Sequence, residues 1–129
     1  MTPIMRISSG SPYEPRIGYC RAVVADGIVY VSGTTGADPE TGEMPKKVAD
    51  QCRNAMAVIG AALEKAGSSF DQTLRVRYIL PDAKDFEACW PVLGKLFKET
   101  PPAATMIQAG LIDPAMKIEI ELTARVIQD

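Results

Sequence analysis

Histidine is absent from this 129-residue chain. Its absence removes Ser-His-Asp and Cys-His catalysis, most zinc hydrolases and the usual proton shuttle near neutral pH. Any chemistry must then rest on carboxylates, hydroxyls, backbone amides, arginine, lysine or water. Cysteine is scarce: Cys20, Cys52 and Cys89 lie far apart and none belongs to a C-x-x-C pair. That spacing indicates neither a zinc site nor a redox motif, so buried free thiols are expected, with no metal and no cofactor. No apolar run approaches the length of a bilayer span, so no membrane partner is expected. Met1 to Gly10 holds one arginine and no apolar core, which argues against a signal peptide and makes cytoplasm the expected location. Positive charge is not in excess either, since the net charge is −2. The chain therefore has no general field to attract nucleic acid or an anionic surface.

What is present fits one domain over residues 1–129, long enough to bury roughly two-thirds of its unfolded surface without staples. No repeat, low-complexity segment or Gly/Ser-rich linker interrupts it. Residues 18–25 (GYCRAVVA) and 28–33 (IVYVSG) are β-branched and aromatic runs separated by Asp26-Gly27. An Asp-Gly pair suits the positive φ angles of a type I′ turn, so the two runs predict a hairpin. Met5–Ser8 adds a short edge strand. Residues 34–45 carry Gly, Pro, Asp and Thr in turn-forming positions and predict a loop.

A helix is predicted from 46 to 66, where Val48, Cys52, Ala55, Ile59, Ala62, Leu63 and Ala66 make one apolar stripe. Gly67 follows as a left-handed cap. Residues 73–80 alternate Val76, Tyr78 and Leu80 against Arg75 and Arg77, as a half-buried strand does. A second helix is predicted over 85–98 with Asp85 as its cap, but Pro91 requires it to kink or restart there. Two last strands are predicted at 103–110 and 116–126. In the second, Ile118, Ile120, Leu122 and Ala124 share one face, opposite Lys117, Glu119, Glu121, Thr123 and Arg125. The fold class is thus α+β, a mixed sheet with two helices packed on one face. The other face needs a cover, and a symmetric oligomer supplies one economically.

Three separated segments carry a resemblance: the hairpin ending in Val31-Ser32-Gly33, the loop Asp38-Pro39-Glu40-Thr41-Gly42-Glu43, and the stretch from Pro102-Ala103 through Lys117-Ile118-Glu119-Ile120-Glu121. At these spacings, over nearly the whole chain, they resemble the RidA/YjgF/L-PSP family. The resemblance implies a chorismate-mutase-like fold and a homotrimer whose sheets form a central barrel, with helices outside and ligand clefts between subunits. For the best-known members it also implies hydrolysis of enamine and imine intermediates to 2-oxo acids and ammonia. Other relatives have been described as ribonucleases, translation inhibitors or chaperone-like proteins.

The resemblance assigns the water-handling acid to Glu119, which otherwise reads as one charge on a solvated strand face. It assigns the cleft tyrosine to Tyr19, and a hydroxyl and an unobstructed backbone N–H to Ser32 and Gly33. The alternatives are a packed tyrosine and an ordinary turn. Thr105 is expected to help shape the cleft. Deaminating members carry Pro-Ala-Arg where this chain reads Pro102-Ala103-Ala104-Thr105, so Ala104 removes the guanidinium that would grip a substrate carboxylate. Met106 replaces a cysteine, and Trp90 stands where a smaller polar residue is common. Trp90 is either a core residue or the wall of a cleft for an apolar or aromatic ligand. Arg21, read as sharing a strand face with Tyr19, and Arg77 are the candidates to replace the lost cation; the alternative for each is a solvated charge.

Three functions remain open. One is a cleft between subunits that binds a small metabolite and hydrolyses an imine; another is a binding or regulatory trimer without catalysis. The third, an endoribonuclease, lacks a histidine acid–base pair and a phosphate footprint.

Overall fold

The Asp26-Gly27 turn forms as its residue types dictate, with φ of +50° at Asp26 and +79° at Gly27. It joins β2 (Ala22–Ala25) to β3 (Ile28–Thr35) as an antiparallel hairpin, and β1 (Met5–Ile7) pairs along the free edge of β2. The computed structural model describes residues 3–127; the end positions of the expected 1–129 domain, Met1, Thr2, Gln128 and Asp129, lie outside the described residues. The remaining strands are β4 (Thr73–Leu80), β5 (Ala103–Gln108) and β6 (Glu119–Arg125). Their order across one mixed sheet is β1-β2-β3-β6-β4-β5, in which β4 and β5 run parallel.

One face of the sheet is covered by α2 (Val48–Lys65) and α3 (Trp90–Phe97). The expected stripe of α2 is buried in full, and it meets Val29 and Val31 of β3, Val76, Tyr78 and Leu80 of β4, and Ile120, Leu122 and Ala124 of β6. Gly67, at φ +79°, follows that helix as expected. Side chains alternate across a strand, so Tyr30, Arg75, Arg77, Ile79, Thr105, Glu119 and Glu121 fall on the opposite face, away from α2 and α3 and their core. Contacts across that face agree: Arg77 pairs with Glu121 at 2.6 Å, and Arg75 donates to the Thr105 hydroxyl at 3.0 Å.

Several boundaries differ from the sequence reading. A third helix, α1 (Tyr13–Ile17), precedes the hairpin and ends at Gly18, whose φ is +97°. Five residues are too few to show a 3.6-residue period, although Pro12 before it and Gly18 after it are its local signature. Because α1 ends there, β2 starts at Ala22 rather than Gly18, and Tyr19 and Arg21 lie in an irregular lead-in. β3 continues through Thr35, into the segment read as a loop. A register shift between Val31 and Thr34 absorbs an extra residue and lets Thr34 and Thr35 pair with Ile120 and Glu119.

The second predicted helix is two elements. A 3₁₀ segment covers Ala83–Cys89, and α3 starts at Trp90 with Pro91 in its first turn, where a missing N–H costs nothing. The side chain that accepts from the backbone at the start of the 3₁₀ segment is Asp82, bonded to the Lys84 N–H, not Asp85. β5 stops at Gln108 and β6 begins at Glu119, later than read, because the Lys117 N–H is claimed by the side chain of Gln51 at 2.8 Å.

Candidate functional site

Glu119 opens β6 on the uncovered face, half-buried, opposite Thr35 of β3 and Ile79 of β4. Its carboxylate lies over Gly33, where a Cβ would collide with it. Burial raises the Glu119 pKa above the usual carboxylate range, the nearby Glu121 adds to this, and the positive charge of Arg21 opposes both. A carboxyl held so is poised to accept and return a proton. This is not the fully solvated charge that Glu119 resembles in the sequence alone.

Ser32 and Gly33 form the bulge of β3, inside a strand and not in a turn. Side chains pin it from several directions. The Ser32 hydroxyl donates to the Cys20 carbonyl at 2.7 Å, the Thr34 hydroxyl to the Ser32 carbonyl at 2.8 Å, and Arg21 Nη2 to the Gly33 carbonyl at 3.2 Å. The Ser32 hydroxyl proton is therefore spent on backbone, which leaves its oxygen as an acceptor. Tyr19 stands beside this bulge, 37% exposed, with the Arg21 guanidinium 5.4 Å from its ring centre. Glu119, Gly33, Ser32, Tyr19 and Arg21 thus make one linked group.

The other predicted residues lie at the far edge of the sheet. Ala104 and Met106 of β5 are register partners of Val76 and Tyr78 and share the helix-covered side of the sheet with them; both are exposed because β5 is the edge. Thr105, between them, points to the uncovered face and accepts from Arg75. Trp90 is 55% exposed, so the core-tryptophan alternative is not what the chain builds. It meets Phe86 edge-on at 6.4 Å, and Phe86 in turn packs on Tyr78 at 5.3 Å, so Trp90 and Met106 flank one aromatic cluster. Within one chain, Glu119 and the Ala104–Met106 edge are two strands apart, about 10 Å, and on opposite faces. One chain does not bring them to a common point.

Neither candidate for a replacement cation is a free surface charge. Arg77 is committed to Glu121, and Arg21 is 8% exposed, with its Nε buried and without a hydrogen-bond partner. The sequence reading missed this burial, as it missed Glu14, whose buried carboxylate accepts from the backbone and hydroxyl of Ser9. A lone Arg before an apolar strand gives no signal of either. Cys52 and Cys89 are buried free thiols as expected, whereas Cys20 is partly exposed. Among the described residues, no cluster of three or more metal-ligating side chains occurs, and no helix is long and apolar enough to cross a membrane.

Known proteins share this fold and much of this sequence. The family model described as Endoribonuclease L-PSP matches residues 10–126. A 2-iminobutanoate/2-iminopropanoate deaminase of Capra hircus is 32% identical over 123 residues, covering 94% of this chain and 90% of the relative. The RutC family protein UK114 of Drosophila melanogaster is 33% identical over 127 residues, covering 96% and 92%. The crystal structure of Rv2704 from Mycobacterium tuberculosis, a member of the YjgF/YER057c/UK114 family, superposes with a TM-score of 0.87 at 32% identity, covering 96% of this chain and all of that one. With the matched region spanning nearly the whole described fold, the chain belongs to the RidA/YjgF/L-PSP family.

Proposed function

We propose that this protein hydrolyses an imine or enamine in a cleft formed between subunits of a homotrimer, with Glu119 handling the water. The observation that carries the proposal is the Glu119 carboxylate, half-buried, raised in pKa and seated against the Gly33 bulge. In the reaction, Glu119 accepts a proton from water as the water oxygen bonds to the imine carbon, and the nitrogen takes up a proton. In the resulting carbinolamine, Glu119 gives its proton to the amino nitrogen, the C–N bond breaks to release ammonia, and the hydroxyl proton passes to solvent as the carbonyl forms. Relatives at about this identity bear the name of such a deaminase, which supports the reaction class.

The same geometry supports a cleft shared by two subunits. Glu119 and the edge bearing Ala104, Met106 and Trp90 face opposite sides of one sheet, so they can converge on one ligand only if the edge comes from a second copy. A subunit interface would also cover Tyr30, Ile79 and Ile107 on the otherwise open face. Where deaminating members place a carboxylate-binding arginine, this chain offers Ala104 beside Met106 and Trp90. A carboxylate would be buried there without a partner at considerable cost. The substrate we expect is therefore not a small amino-acid-derived imine but one with an apolar or aromatic body.

Ammonia release from freshly generated 2-iminopropanoate and from an imine of an aromatic amine, with wild type and Glu119→Gln side by side, tests this reading. We expect slow or no turnover of the first and Glu119-dependent turnover of the second. Turnover of 2-iminopropanoate comparable to that of an arginine-bearing homologue would overturn the substrate argument. Exposed Trp90 and Met106 also favour a second reading, a binding trimer without catalysis. In that case Glu119→Gln binds a ligand as wild type does, and neither protein releases ammonia. The description of the matching family model is all that favours an endoribonuclease; a chain without histidine, where Arg77 is paired and Arg21 is buried, offers it no acid–base pair or phosphate footprint.

A further inference from the structure

Arg21 touches several parts of the candidate site at once. Its backbone N–H donates to the Ile7 carbonyl at 2.8 Å, and its own carbonyl accepts from the Ser32 N–H at 2.9 Å. The side chain then donates to the Gly33 carbonyl and lies against the Tyr19 ring. It is nine-tenths buried, with Nε lacking any partner. Leaving a guanidinium donor unpaired inside a protein is expensive, and an unpaired donor is retained where the charge itself matters.

Two carboxylates feel that charge. Glu14, a buried residue of α1, has its pKa lowered by its serine hydrogen bonds and by Arg21, which together outweigh a burial effect that acts to raise it. At Glu119, Arg21 is the one opposing influence. The charged neighbours of Glu119 can be named by element. On β6 there is Glu121, on β4 Arg77, which is spent on Glu121, and on the lead-in to β2 Arg21. β3 presents Ser32, Gly33 and Thr35, none of them charged.

We propose that Arg21 is the positioning residue of this site: its Nη2 holds the Gly33 carbonyl of the bulge on which the Glu119 carboxylate is seated, and its guanidinium braces the Tyr19 ring. Arg21 does not replace the missing arginine at Ala104. Its side chain is turned into the bulge, where a substrate carboxylate has no access. The planar fork matters because Nη2 must reach a carbonyl while the guanidinium plane lies near an aromatic face. A lysine ammonium supplies the charge without that plane. This role rests on the assignment of Glu119 as the water-handling group.

The test compares Arg21→Lys and Arg21→Gln in the full chain, with thermal melting as a control for folding. For Arg21→Gln, kcat for a turned-over imine should fall on the order of tenfold to a hundredfold, because a displaced carboxylate loses its alignment with water, while KM changes little. The Glu119 titration midpoint, read by carboxyl carbon NMR, should rise by roughly half a unit or more in Arg21→Gln. In Arg21→Lys the midpoint should stay near wild type while kcat still falls. If Arg21→Gln does not fold, Arg21→Lys alone decides through its kcat. A folded variant with kcat within about twofold of wild type and an unmoved midpoint would overturn the proposal. Failure of the underlying reading looks different: wild type then releases no more ammonia than Glu119→Gln, although the midpoint shift in Arg21→Gln still reports on Arg21.

Discussion

The carboxylate of Glu119 fills the space that a side chain at Gly33 would need. This contact joins the start of β6 to the bulge of β3, and it explains why residue 33 is glycine although its φ does not demand one. Gly33→Ala should therefore act on the site rather than on the backbone. The methyl group drives the Glu119 carboxylate away, and imine turnover should drop on the order of a hundredfold, the cost of displacing a reacting group by about 1 Å. Because the carboxylate is partly exposed and able to swing outward, the melting temperature should change by only a few degrees. Kinetics and a thermal melt on the same sample check both halves, and wild-type turnover would show that Glu119 works from another position.

The raised pKa of Glu119 sets a stability test with a definite sign. Folding disfavours the ionised form of this group, so its unfavourable contribution develops as pH rises through the folded pKa and is absent below the unfolded value. Glu119→Gln removes that liability. The variant should melt at the same or a higher temperature than wild type at pH 7 to 8, and the advantage should shrink as pH falls toward about 4 and vanish below it, where the carboxyl is neutral in both folded and unfolded chains. A series of melts across that window settles the direction, and a variant less stable at pH 8 than at pH 4, relative to wild type, would contradict it. Such a variant would be inactive yet better folded, as expected where a charged group is kept for function.

The helix stripe of α2, the Asp26-Gly27 turn and the alternation of β4 and β6 were legible because each repeats a physical period several times. The bulge at Ser32-Gly33 was not, since small residues followed by Thr34-Thr35 read as the end of a strand, and only pairing with β6 reveals the added residue. Glu119, Gly33 and Tyr19 could be named from a motif, but their meeting depends on that bulge. The depth of Arg21 was invisible for a related reason: a charged residue before a strand reads as solvated until the Gly33 carbonyl and the Tyr19 ring are seen to meet its side chain. Pro91 gave the clearest local warning, and the chain does restart its helix there.

Gln51 is another residue whose weight appears only in three dimensions. It is fully buried in α2, and its amide donates to the carbonyls of Pro45 at 2.7 Å and Ala115 at 3.0 Å while accepting from the Lys117 N–H at 2.8 Å. One side chain thus ties the segment before α2 to the one that leads into β6 and Glu119. Gly36 packs directly on it and leaves no room for a Cβ. Gln51→Leu keeps the volume but strands three backbone groups, each worth about 1–3 kcal/mol when left unpaired. A loss of roughly 3–5 kcal/mol is expected from urea unfolding. A loss below about 1 kcal/mol would mean that water replaces the amide without difficulty.

Restoring the cation at position 104 tests the substrate argument from the opposite direction. Ala104 is exposed on edge strand β5, so an arginine there meets no packed neighbour and costs little stability. If the edge of one subunit faces Glu119 of another, Ala104→Arg supplies the bidentate donor that a substrate carboxylate lacks in wild type. Hydrogen bonds to a charged group contribute about 1.5–3 kcal/mol each, so kcat/KM for 2-iminopropanoate should rise at least about tenfold. The gain should disappear in the Ala104→Arg, Glu119→Gln double variant, because the added cation binds substrate but does not handle water. For an apolar imine the same arginine should reduce kcat/KM, since it places a charge where Trp90 and Met106 offered an apolar surface. Should Ala104→Arg leave both substrates unaffected, the edge of β5 is not part of the site, and the cleft lies elsewhere on the uncovered face.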